Sequence, residues 1–146
     1  MATPQYGSKR SFCRSSKEID LLPLVTVRKA YITEETAHPF YDGYWRLAKA
    51  RMETSFRMLY ANSPKEFLDS KGEEKIDYFI FPRSRFKPES LKSATSFAPL
   101  DKVVKRLVAR NHDNFFYDLL DMGAYSQSIV YQDSEVIVIK PELLKP

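Results

Sequence analysis

Ile76-Asp77-Tyr78-Phe79-Ile80-Phe81 is an apolar, aromatic and β-branched run with charge before it and Pro82 after it, and it reads as a buried strand. Gly72 is placed to end a short helix just ahead of it. Arg83-Ser84-Arg85 leaves its carboxyl end, the side on which open α/β sheets hold their ligands.

Downstream of the strand, residues 86–91 and the Ser/Thr-rich stretch 93–96 read as a long surface connection with at most one helical turn. Pro99 then opens an amphipathic helix, with Leu100, Val103, Val104, Leu107 and Val108 at the spacing of one helical face. Phe115-Phe116-Tyr117 with Leu119-Leu120 forms a short turn or helix that stops at Gly123. Ser128-Ile129-Val130-Tyr131 and Glu135-Val136-Ile137-Val138-Ile139 are two strands of a hairpin.

Upstream, helical periodicity runs from about Asp42, placing Trp45, Ala48, Met52, Phe56 and Leu59 on one face. Arg46, Lys49, Glu53 and Arg57 occupy the other face, which reads as solvated surface, with a binding stripe as the alternative. Ser63-Pro64-Lys65-Glu66 is a capping box with proline at the first helical position. Leu21-Leu22-Pro23-Leu24-Val25-Thr26-Val27 and Ala30-Tyr31-Ile32-Thr33 are β-type runs, the first confined by Pro23 to an edge or a strand start. Residues 1–20 lack apolar periodicity and read as a mobile leader or a strand remnant short of partners. The expectation is a single small α/β domain over residues 21–146, with a mixed sheet, a C-terminal antiparallel hairpin and amphipathic helices packed on it.

The 146 residues suffice for one ordinary core. A net charge of +4 is well short of the load of a dedicated nucleic-acid binder. Cys13 is the only cysteine, so neither an internal disulfide nor a cysteine-based zinc centre can form. The sequence has no run long and apolar enough to be a span, and no signal-peptide core behind its first charged residues.

The chemistry readable in the motifs is sparse. Gly7, Gly43, Gly72 and Gly123 stand too far apart for any phosphate loop, so no nucleotide cofactor is expected. His38 with Glu34 and Glu35 makes a polar cluster, and at its sharpest an open metal site or an acid/base pair. The plain reading is a loop histidine, with no metal expected and no catalytic constellation. Between Arg83 and Arg110 eight Lys and Arg face two acids, enough to attract phosphate, an anionic sugar or a headgroup if the charges share a face. If the strand period continues, Arg83 and Arg85 point to one side, and Arg28 follows a β run that can lie beside the central strand. The three arginines are the candidate anion site, with an internal ion-pair network as the structural alternative.

Leu22-Pro23-Leu24, Arg28-Lys29, Glu34-Glu35, His38-Pro39-Phe40-Tyr41, Gly43-Tyr44-Trp45, a basic helix and Ile76-Asp77-Tyr78-Phe79-Ile80-Phe81-Pro82-Arg83-Ser84-Arg85-Phe86 follow in an order that resembles the soluble C-terminal region of cyanobacterial-type polytopic membrane proteins. Those proteins are related to integral-membrane glycosyltransferases. The resemblance covers about half the chain. It implies a non-catalytic accessory module, a membrane-protein partner or a separate transmembrane region, an anionic glycan or headgroup as ligand, and the extracytoplasmic face of a membrane. A complete chain of this sequence would instead be expected in the cytoplasm. The alternative function is a small polyanion- or nucleic-acid-binding protein using residues 83–110.

Overall fold

The computed structural model describes residues 10–12, 29–32, 42–93, 99–111 and 114–144, and its centre is a five-stranded mixed sheet. The strands are β1 (Arg10–Phe12), β2 (Lys29–Ala30), β3 (Tyr78–Pro82), β4 (Ile129–Gln132) and β5 (Val136–Ile139). Their order is β2-β1-β3-β5-β4, with β1 parallel to both neighbours and the β3–β5 and β5–β4 pairs antiparallel. The fold is therefore the expected α/β type, with a mixed sheet and a C-terminal antiparallel hairpin.

The two-residue period of a strand sorts β3 onto two faces. Phe79 and Phe81 point into the core opposite Ile139 and Ile137 of β5, and all four are fully buried. Ile80 takes the other face, where Val136 and Val138 pack against it.

Among the described residues five α-helices accompany the sheet: α1 (Asp42–Leu59), α2 (Pro64–Lys71), α3 (Pro88–Ser93), α4 (Leu100–Arg110) and α5 (Phe116–Asp121). Helix α1 buries Ala48, Met52, Phe56 and Leu59 as its period dictates, with Trp45 half-buried. The turn into α2 is held at its cap. Glu66 N–H donates to the N-cap Ser63 Oγ at 3.2 Å, satisfying an amide that a helix start leaves orphaned, while Glu66 Oε2 reaches one residue past the expected Ser63 amide and accepts from Asn62 N–H at 2.8 Å. Gly72 closes the helix at φ +52°, a conformation that other residues resist. Phe67 of α2 is thereby driven into the aromatic centre, with ring centroids 5.1 Å from Phe79, 5.5 Å from Phe116 and 5.9 Å from Phe81. Burying one such ring stabilises the fold by about 2–3 kcal/mol.

Four sequence expectations need correction. Residues 10–12 fall inside the supposed leader yet form β1, hydrogen-bonded between β2 and β3; three residues are too few to show a hydrophobic period. The central strand starts at Tyr78 rather than Ile76. Beyond Pro82 the chain turns at once into a 3-10 helix, Arg83–Phe86, so the strand period does not continue through the arginines. The described part of the loop after it holds a six-residue helix rather than the single turn allowed for, because Pro88 and Glu89 start α3 and Phe86 is held by stacking on Tyr117 at 3.9 Å and 6°. The run at residues 21–27 lies outside the described residues.

Candidate functional site

Arg28, Glu34, Glu35 and His38 lie outside the described residues. The strand beside β3 is β1, and β2, which begins at Lys29, is one place further out, about 10 Å from β3 at ordinary strand spacing. Arg83 and Arg85 sit on the 3-10 turn, where residues two apart point about 120° apart rather than to one side.

Arg83 is occupied internally. Its Nη1 donates to the Asp121 carboxylate of α5 and to the Tyr117 hydroxyl at 3.4 Å, and its Nε donates to the Asp133 carbonyl of the hairpin loop at 2.7 Å. The hydrogen bond to Asp121 holds the guanidinium above its ordinary pKa, while burial, followed by the Asp121 charge, pushes the Tyr117 hydroxyl up. The clasp ties β3 to α5 and to the hairpin, and Asp133 firms the loop by accepting from Glu135 N–H and Val136 N–H at 2.8 Å each. Arg85 is half-buried and also engaged.

A second set of cations lines one surface. A groove of about 480 Å³ runs between α1, α2 and α4, lined by Glu53, Arg57, Glu66, Ser70, Val103, Arg106, Leu107 and Arg110. The helical period explains the grouping: Glu53 and Arg57 are one turn apart on α1, Glu66 and Ser70 one turn apart on α2, and Val103, Arg106, Leu107 and Arg110 form one stripe of α4. The α1 pair follows the buried Met52 and Phe56 by one residue, about 100° around the axis.

The charges in the groove are unequally compensated. Arg110 pairs with Glu66 Oε1, while the other oxygen of that carboxylate is taken by Asn62 N–H. Glu53 faces Lys49 at 3.9 Å, an exposed pair of little strength. Arg57 and Arg106 are exposed and make no hydrogen bond or ion pair with the described residues. Two unpaired guanidinium forks thus share a concave surface with the half-buried Val103 and with Leu107, 9% exposed. Such forks match carboxylate and phosphate geometry.

Sequence reasoning counted Arg106 and Arg110 within the basic segment and Glu53 and Arg57 on the outer face of α1, but nothing local brings the two together. Among the described residues no group of three or more His, Cys, Asp or Glu could hold a metal ion. No described helix is long and apolar enough to cross a membrane. The fold and the groove define an α/β module with a cationic concave surface. Comparison with protein-family models, with curated proteins and with solved structures returns no match.

Proposed function

We propose that the chain is a non-catalytic α/β binding module that holds an anionic group in the groove between α1, α2 and α4 and docks on a membrane-associated partner. One observation carries the anion part: Arg57 and Arg106 line a single groove and have no hydrogen-bond or ion-pair partner among the described residues. The membrane-protein partner and the glycan or headgroup character of the ligand are supported by the sequence resemblance. A compact anion suits the site better than a polymer, because one of the rings on which a polymer could stack beside the basic segment, Phe86, is already packed against Tyr117, Tyr60 and Phe115.

The test is thermal unfolding of wild-type protein and an Arg57→Ala/Arg106→Ala variant in sulfate, phosphate and glucuronate, with sodium chloride at matched ionic strength as control. A ligand at ten times its dissociation constant stabilises by about 1.4 kcal/mol, or roughly 3–6 °C for a chain of this size. The wild type is expected to show that rise and the variant to lose it. Equal responses of the two proteins, or none, exclude the groove as the anion site.

A further inference from the structure

The groove is poorly designed for a bare anion. Its three arginines are accompanied by the carboxylates of Glu53 and Glu66, the hydroxyl of Ser70 and the apolar flanks of Val103 and Leu107. Inorganic phosphate held by Arg57 and Arg106 would leave most of the roughly 480 Å³ empty, a volume within the range of about 300–1,000 Å³ usual for whole small molecules. It would also stand beside Glu53, a like charge with only the weak Lys49 pair to offset it.

Resting on the anion reading above, we infer that the ligand is a phosphate or carboxylate carried on a polyhydroxylated body, a sugar phosphate or sugar acid. The anion meets Arg57 and Arg106. Hydroxyls donate to the Glu53 carboxylate and exchange hydrogen bonds with Ser70, and the C–H face of the body rests on Val103 and Leu107. Glu66 contributes little directly, since Arg110 and Asn62 N–H already occupy its two oxygens. A zwitterion would place an ammonium against Glu53, but the lining has more guanidinium than carboxylate and so favours a ligand with net negative charge.

Calorimetric titration separates these possibilities. The ligands are glucose 6-phosphate, glucuronate, inorganic phosphate, phosphoethanolamine and glucose at constant ionic strength, and the proteins are wild type, Arg57→Ala/Arg106→Ala and Glu53→Ala. The sugar phosphate or the sugar acid should bind wild type about tenfold tighter than inorganic phosphate, the worth of one hydrogen bond to a charged group. Whichever of the two prevails identifies the anion as phosphate or carboxylate. Glu53→Ala should tighten inorganic phosphate by removing a like charge and erase the tenfold preference; a merely structural Glu53 would shift all ligands alike, which overturns its assigned role. Phosphate binding as well as the sugars, or phosphoethanolamine binding best, overturns the inference and leaves the anion groove standing. Absence of any anion binding that depends on Arg57 and Arg106 removes both.

Discussion

Arg83→Ala tests the assignment of the arginines most directly, because Arg83 is engaged inside the fold whereas the groove arginines are the proposed ligands. The substitution deletes donors to the Asp121 carboxylate, the Tyr117 hydroxyl and the Asp133 carbonyl. Hydrogen bonds to charged groups contribute about 1.5–3 kcal/mol when well shielded. Here the Arg83 side chain is 23% exposed and that of Asp121 46%, so solvent screening brings the expectation for the whole clasp to about 1–2 kcal/mol. At roughly 2–4 °C per kcal/mol for this chain length, the melting temperature should fall by about 2–8 °C. Scanning calorimetry at neutral pH reads the drop, which should shrink in 1 M salt as screening of about 3 Å sets in. Arg83→Lys should recover part of it, since an ammonium can reach Asp121 but cannot fork to Asp133 as well. The response to phosphate should survive both substitutions. An unchanged melting temperature combined with a lost anion response would refute the division, returning Arg83 to the role of ligand.

Tyr31 predicts an alkaline weakness: burial first, then the Glu74 charge and its hydrogen bond, push the phenol from 10.0 up to about 12. A raised pKa leaves its stability fully present below about pH 10 and removes it as pH rises toward 12, a loss of about 2–3 kcal/mol; Tyr31→Phe should make the fall of the urea midpoint across that window shallower, and parallel curves for the two proteins would dismiss the assignment. Phe67→Ala should cost about 3–5 kcal/mol in urea unfolding because the ring is fully buried against three others, with Phe67→Leu much milder; equal losses would mean that the ring contacts contribute nothing. Ile80→Asp should abolish cooperative folding, since the side chain is 7% exposed among Val136 and Val138 and an unpaired carboxylate there costs several kcal/mol; a soluble protein with a sharp melting transition would contradict that.

The fold was legible wherever one short-range signal was strong. Met52, Phe56, Leu100, Val104 and Leu107 keep a helical period and are buried as that period requires, and Ser63-Pro64-Lys65-Glu66 marks its helix start by side-chain chemistry alone. Residues 76–81 read as a buried strand from composition alone, while the sorting of Phe79 and Phe81 to one face and Ile80 to the other emerged only with the β5 pairing. Failures came where the deciding interaction was distant. Arg10–Phe12 becomes a strand because β2 and β3 flank it, and Arg83–Phe86 coils into a 3-10 turn in which Phe86 stacks on Tyr117, 31 positions on in the sequence.

The same distinction bears on the choice of anion site. A basic segment read along the chain treats Arg83, Arg106 and Arg110 as equals, yet what matters for binding is which cation finds an acid in the folded protein. Arg83 finds Asp121 and Arg110 finds Glu66, 38 and 44 positions away, so neither offers a free fork. Arg57 and Arg106 find none among the described residues, and the packing of α1 on α4 sets both into one groove. Excess charge in a segment therefore overstates its capacity to bind, because internal carboxylates consume part of it. The relevant quantity is the unpaired remainder on a concave surface, and here it is contributed by two helices some fifty residues apart.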